Sequence, residues 1–344
     1  WVRRHEPQHF QRTATVLLPK DYLRYRMTGK KVSDMSDAAG TLWLDVAKRD
    51  WSDALLDKCG LARSQMPTLV EGCEVSSTLD PQVAERWGLN ASVAVAGGGG
   101  DNAVSAIGVG AVSPGDAFIS LGTSGVLFVV TDAYRPAPQS AVHAFCHVLP
   151  NLWHQMSVML SAASCLQWFC RLTGTTEVAL LEEIAELSEE EKSHAPFFLP
   201  YLSGERTPHN DPDARGMFWG MTHSSLRAQL GYAVLEGVSF GISDGLQVLK
   251  ESGTQIEQCS LVGGGARSPF WAQLLADILD MPVVTHKGGE TGGALGAARL
   301  ACLAAGKPIT EVCEKPEIWQ TWRADPVRHQ TLMRRYAQFK ALYL

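Results

Sequence analysis

Residues 96–108 read A-G-G-G-G-D-N-A-V-S-A-I-G, four consecutive glycines closed by one carboxylate, Asp101. Two more glycine turns follow, L-G-T-S-G at 121–125 and V-G-G-G-A-R-S at 262–268. Glycine has no Cβ, so its turns let main-chain N–H groups approach a polyanion and adopt positive φ; beside helix starts they can hold phosphate oxygens. Three such turns in one chain point to a nucleotide phosphate site.

The lone acid then becomes the side chain of interest. Asp101 follows an expected buried strand at 93–96 and precedes a small-residue helix at 102–108, which puts its carboxylate at a strand-to-helix turn. An aspartate there commonly serves as a helix N-cap. In the company of the other two turns, catalysis is the stronger reading.

At 344 residues the chain exceeds one ordinary core, so two domains, or one and part of another, are expected. With 45% apolar and 19% charged residues the composition is that of a globular protein, and a net charge of −6 leaves no basic surplus for nucleic acid. No apolar run is long enough to cross a bilayer and no signal peptide is visible. The eight cysteines lack C-x-x-C spacing, and Cys165 and Cys170 fall in an apolar helical stretch with Leu166, Trp168 and Phe169, which suits reduced buried thiols and a cytoplasmic location. The ten histidines show no metal spacing. His143 and His147 lie in a segment, 141–149, that alternates like a strand.

Short helices are expected at 21–27 and 38–47. Strands at 116–120 and 126–130 flank L-G-T-S-G as a hairpin, a third strand covers 153–159, and a helix covers 161–172. A charged helix near 177–191 has a solvated acidic face, and a polar loop spans 199–216. In the long helix expected at 229–249, Leu230, Val234, Val238, Ile242, Leu246 and Leu249 recur at helical spacing, with Gly237 and Gly241 admitting a close neighbour. Strand 260–262 leads through the triple glycine to Ser268 as N-cap, Pro269 at the first helical position and a helix over 270–280. A strand at 283–285, the string G-G-E-T-G-G at 288–293 and a helix at 294–305 complete the series. This is not Rossmann alternation, and neither G-x-G-x-x-G nor G-x-x-x-x-G-K-[ST] occurs. A hairpin whose turn grips phosphate resembles instead the α/β ribonuclease-H-like fold shared by actin, hexokinase and the heat-shock ATPases.

Longer strings narrow the resemblance. G-M-F-W-G-M at 216–221 and Q-L-G-Y-A-V-L-E at 229–236 resemble the second signature of the FGGY carbohydrate kinases, and residues 1–7 resemble the tail of the first. L-P-K-D-Y-L-R-Y-R-M-T-G-K at 18–30, S-D-M-S-D-A-A-G-T at 33–41 and P-Y-L-S-G-E-R-T-P-H-N-D-P at 200–212 are similar to the branch of that family acting on D-xylulose.

The resemblance implies a two-domain kinase, with 1–108 the C-terminal part of the sugar-binding domain and 109–344 the ATP-binding domain. It implies Asp101 as general base, with an indirect part in placing Mg2+, and Asn102 as a sugar contact. Thr123 would bond the ATP phosphates within a loop shaped by Gly122, Ser124 and Gly125. Gln167 would lie near the nucleotide, although a helix-surface amide reads equally well. Gly264 and Gly265 would approach the α-phosphate and ribose, with Arg267 and Ser268 near adenine. Glu205 and Arg206 are expected to pair with each other. MgATP and D-xylulose are the implied substrates and a homodimer the implied assembly. Such kinases also carry an upstream D-x-G-T-[ST] turn and sugar-contacting segment, so the chain is expected to lack the start of the first domain and to expose an apolar face there. Ribulose, gluconate or glycerol as acceptor, a nucleotide switch of the actin type and a folded remnant without chemistry remain alternatives.

Overall fold

The computed structural model describes residues 1–287 and 292–343. Residues 288–291, within the G-G-E-T-G-G string, lie outside the described residues. The centre is a mixed sheet built from β1 (Ala117–Leu121), β2 (Gly125–Thr131), β3 (His143–Cys146), β4 (Trp153–Met159), β5 (Cys259–Val262), β6 (Val283–His286) and β7 (Ile318–Trp322). Their order across the sheet is β7-β6-β5-β1-β2-β4-β3. The β1, β2, β4 and β3 strands pair antiparallel, β5 joins β1 and β6 in parallel, and β7 closes the edge antiparallel. This topology is the ribonuclease-H-like arrangement expected from the hairpin and its following helices.

The helices used below are α1 (Pro19–Thr28), α2 (Met35–Ala38), α3 (Asp101–Gly108), α4 (Ala163–Thr173), α5 (Arg227–Glu251), α6 (Pro269–Leu279), α7 (Gly292–Ala304) and α8 (Pro326–Leu342). In β1 and β2 the residues are mostly apolar on both sides because both faces of the sheet are covered there. Ile119, Leu121, Leu127 and Val129 face a core shared with α4, α5, α6 and α8, while Phe118, Val126, Phe128 and Val130 face Ala106, Val109 and Ala111. The long helix α5 lies close on the sheet because glycine recurs along one stripe. A Cβ at Gly241 would stand 2.5 Å from Met159 Cε and one at Gly245 2.1 Å from Ser157 Oγ, both in β4, while one at Gly237 would stand 2.1 Å from the carbonyl oxygen of Phe198 outside the central sheet.

The short helix α3 leaves the glycine run and crosses α7, again through glycine. A Cβ at Gly108 would lie 1.9 Å from the Gly292 carbonyl oxygen, and one at Gly296 1.9 Å from that of Val104. Arg299 of α7 donates Nη1 to the carbonyls of Ile107 and Gly108 at 2.8 and 3.0 Å, satisfying the C-terminal end of α3.

The strand before the glycine run, Ala94–Ala96, is not buried as expected, because among the described residues it pairs only with Val75–Thr78 in a two-stranded sheet. Three further segments differ from expectation. Residues 38–47 form no continuous helix: α2 passes into a 3-10 turn (Ala39–Thr41), Leu42 takes φ 64°, and a short strand Leu44–Asp45 pairs with Asp50–Trp51. The charged stretch at 177–191 divides into Glu177–Ala185 and Glu189–Ser193, because Ser188 starts a new helix with a capping box to Glu191. The third, β7 with α8, follows the last element read from the sequence.

Candidate active site

The hairpin is built as its sequence suggests. Pairing runs from Ala117 opposite Val129 to Leu121 opposite Gly125, leaving Gly122, Thr123 and Ser124 as the turn. Its carbonyls are held from behind by the start of α4: Ala162 N–H donates to Thr123 O at 2.9 Å, Ala163 N–H to Gly122 O at 2.8 Å, and Ser164 Oγ to Thr123 O at 2.7 Å. With those carbonyls bound inward, Thr123 and Ser124 are exposed. The same helix brings the positive end of its dipole to the turn. Gly125 is close-packed, since a Cβ there would stand 3.1 Å from Ala162 Cβ.

The triple-glycine turn arrives at the same place. Gly263 has φ 87°, and a Cβ on it would stand 2.9 Å from the Leu121 carbonyl oxygen. A Cβ on Gly265 would stand 2.4 Å from Leu121 Cδ2. Gly264 between them is exposed, with nothing within 4 Å of its Cβ position. Two of the glycines therefore let the turn close onto Leu121, and the middle one leaves its backbone open to a ligand.

The remaining predicted nucleotide residues divide. Gln167 is exposed on α4, three residues after Ser164. Arg267 is exposed. Ser268 is 8% exposed, and its hydroxyl caps α6 by accepting from Trp271 N–H at 3.2 Å, so its contribution is to hold the turn.

Asp101 is the first residue of α3 and is exposed. The N-cap position belongs to Gly100, so Asp101 is not spent on capping. Its Oδ1 accepts from Asn102 N–H at 2.8 Å and from Asn102 Nδ2 at 3.2 Å. Among the described residues no hydrogen bond joins Asp101 to either of the other glycine turns; the link between them is the core in which Ala106 of α3 packs with Val126 and Phe128. No group of three or more His, Cys, Asp or Glu residues is arranged to hold a metal ion among the described residues.

A polar cluster that sequence reading overlooked lies under the glycine run. Lys20 Nζ meets Asp21 and Asp34 at 2.6 Å each and Asp37 at 3.4 Å; Asp21 and Asp34 are fully buried. Burial works against the Lys20 charge, yet Asp34 and Asp21 outweigh it and hold its pKa above the ordinary value. For Asp37 burial dominates and raises the carboxyl, with Lys20 opposing. The only signal in the sequence was S-D-M-S-D itself, a string with four hydrogen-bonding side chains between two stretches read as helix.

The G-E-R-T segment corrects one expectation. Glu205 does not pair with Arg206: its Oε1 accepts from Leu160 N–H at 2.9 Å and Arg206 N–H at 2.7 Å, while Arg206 Nη1 lies 3.1 Å from His143 Nε2. Thr207 N–H donates to Val158 O at 3.0 Å, and its Oγ1 accepts from Val158 N–H at 3.0 Å. Glu205 and Thr207 thus strap the end of β4, just before the residues that hold the Thr123 turn. Burial pushes the Glu205 carboxyl up to about 7.

Residues 1–108 match the N-terminal domain of the FGGY family of carbohydrate kinases, and residues 117–305 match its C-terminal domain. The chain belongs to the FGGY family of carbohydrate kinases. Among FGGY relatives, it is 52% identical to the xylulose kinase of Escherichia coli strain K12, covering 100% of this chain and 71% of that protein. It is 52% identical to the xylulose kinase of Klebsiella pneumoniae over 88% of this chain and 62% of that protein. The crystal structure of a "xyloylose kinase" from Brucella ovis superposes with a TM-score of 0.95 at 49% identity, covering 100% of this chain and 71% of that one. Among the described residues, no helix is long and apolar enough to cross a membrane.

Proposed function

We propose that this FGGY kinase transfers the γ-phosphate of ATP to the terminal hydroxyl of D-xylulose, giving D-xylulose 5-phosphate. The observation that carries the nucleotide half is the closure of the 263–265 turn onto Leu121, which gathers two glycine turns beside the start of α4. The sugar assignment rests on the relatives, whose xylulose kinase members are similar to this chain over its whole length.

In the proposed mechanism Thr123, Ser124 and the open backbone of Gly264 receive the phosphates, in turns shaped by Gly122, Gly125 and Gly265, with Gln167 and Arg267 toward the nucleoside. Phosphoryl transfer demands alignment of attacking oxygen, phosphorus and leaving oxygen more than covalent help. Asp101 orients the sugar hydroxyl and accepts its proton late in transfer, and Asn102 contacts the sugar. Mg2+, when bound with ATP, would neutralise charge on the phosphates, and Asp101 would take an indirect part in its placement. Residues 1–108 and 109–344 act as sugar-side and nucleotide-side domains in this reading, and a cytoplasmic homodimer belongs to the same proposal.

Asp101→Asn tests the assignment. It keeps the size of the side chain and removes the proton acceptor, so turnover on D-xylulose in a coupled assay of the full-length protein should be lost while nucleotide affinity stays within about twofold. Normal turnover by the variant refutes Asp101 as base. Ribulose, gluconate or glycerol outperforming D-xylulose in the same assay refutes the sugar.

A further inference from the structure

The acid assigned as base stands directly after four consecutive glycines, residues 97–100. Such a lead-in is the least restrained backbone a chain can supply, so nothing local to it holds Asp101 in register. A displacement of about 1 Å at a catalytic group costs roughly a hundredfold in rate. The restraint has to come from other elements, and the structure shows where it comes from.

Gly100 N–H, one residue before Asp101, donates to Ser36 Oγ at 3.0 Å. The Ser36 hydroxyl proton goes to Asp34 Oδ2 at 2.5 Å, which also accepts from the N–H groups of Ser36 and Asp37 at 2.8 and 3.1 Å. A hydroxyl has one proton to give, so its donation to a carboxylate turns the oxygen lone pairs toward Gly100. That link is directional, and its charged acceptor is among the stronger hydrogen-bonding groups. Asp34 is itself fixed by Lys20, and Ser36 is 3% exposed. The other end of the glycine run is held as well. Arg24 donates to Gly97 O and, at 3.0 Å, to Val32 O, while Gly98 N–H donates to Gly72 O at 3.0 Å. There is no slack between these points: a Cβ at Gly99 would stand 2.4 Å from Val148 Cγ1 and 2.9 Å from Ser36 Oγ.

We infer that Ser36, oriented by Asp34, is a positioning residue for the phosphoryl-transfer step, a tether that sets the start of α3 and with it the Asp101 carboxylate. Capping of α2 does not account for the arrangement. Asp34 alone caps that four-residue helix, and the Ser36 hydroxyl reaches out of it to a residue 64 positions away. The inference rests on Asp101 being the base, as proposed above.

The test combines kinetics with amide exchange in the full-length protein carrying Ser36→Ala, Ser36→Cys, Asp34→Asn or Asp101→Asn. Ser36→Ala should speed hydrogen exchange in a peptide covering 97–104 and lower kcat about tenfold or more, with the ATP KM within about twofold and the melting temperature nearly unchanged. Asp34→Asn keeps Ser36 but removes the charge that orients it and faces Lys20, so it should shift both readouts in the same direction and also lower the melting temperature. Ser36→Cys, of similar size with a weaker acceptor, decides the matter should Ser36→Ala fail to fold, and should shift both readouts in the same direction by less. Asp101→Asn should abolish turnover and leave exchange at 97–104 as in the parent. Unchanged kcat and exchange in a folded Ser36→Ala protein overturn the inference, as does a loss in which the ATP KM rises in step with the fall in kcat. Normal turnover by Asp101→Asn would instead refute the base assignment, with the exchange data still reading the tether separately.

Discussion

Gly296→Ala is the most demanding perturbation of the way α3 is mounted. The added methyl would stand 1.9 Å from the Val104 carbonyl oxygen, whereas ordinary contact begins near 3.4 Å, so the two helices must separate by about 1.5 Å. The obstacle is backbone, which cannot rotate aside. Overpacking of this kind typically costs about 1–3 kcal/mol, and rigid atoms on both sides place it at the upper end. Alanine returns up to about 1 kcal/mol in helix propensity. The steric term wins, for a net loss of about 2 kcal/mol, read as a fall of about 3 °C in melting temperature for a chain of this size. Turnover should fall further than stability. Val104 lies three residues after Asp101 in the same helix, and a shift approaching 1 Å at the base costs on the order of a hundredfold in kcat. Gly293→Ala is the control: in the same helix, its methyl would lie 3.5 Å from Ser105 Oγ, an ordinary contact, so both stability and kcat should stay near the parent values. Differential scanning calorimetry with the coupled kinase assay decides it. A Gly296→Ala protein that melts with the parent and keeps its kcat refutes the reasoning that this crossing mounts the catalytic helix.

Two further outcomes follow from buried charges. Glu205 has a folded pKa of about 7 against an ordinary 4.5, so between those values the unfolded chain ionises while the folded one keeps its proton. Stability contributed by the neutral acid is therefore complete below about pH 4.5, declines as pH rises through 7 and is flat above, a total on the order of 3 kcal/mol. Glu205→Gln should flatten denaturant-derived stability between pH 5 and 8 by about that amount; a pH profile parallel to the parent's rejects the assignment. Arg335 donates Nε and Nη2 to the Glu236 carboxylate at 2.7 and 2.6 Å, and also reaches the carbonyls of Ser193 and Ala195. Arg335→Ala strands a carboxylate whose side chain is only 1% exposed, so the urea midpoint should drop by the equivalent of about 3–5 kcal/mol at constant m-value, and a change below about 1 kcal/mol counts against the pair.

What local chemistry decides was legible in the sequence. The β1–β2 hairpin follows from apolar runs meeting at L-G-T-S-G, and the start of α6 from Ser268 and Pro269, because strand alternation and helix capping act over a few residues. The period of α5 marked its helix, and its glycines announced a close neighbour without saying which. Residues 38–47 escaped because they carry helix-like composition, while the helix that Asp34 starts runs into a 3-10 turn and is broken where Leu42 takes φ 64°. The edge strand β7 escaped because its residues are nearly all exposed and show no buried alternation.

By itself, then, the sequence determined which short segments would turn, cap or lie flat, and it determined that one acid would follow a glycine run. Tertiary structure alone decided that the 263–265 turn closes on Leu121, that α3 crosses α7 through paired glycines, and that Ser36 reaches Gly100. The reason is range. Propensity and periodicity act between neighbours in the chain, whereas a carbonyl meeting a missing Cβ, or a hydroxyl shared between Asp34 and Gly100, exists only once segments far apart in sequence share one core.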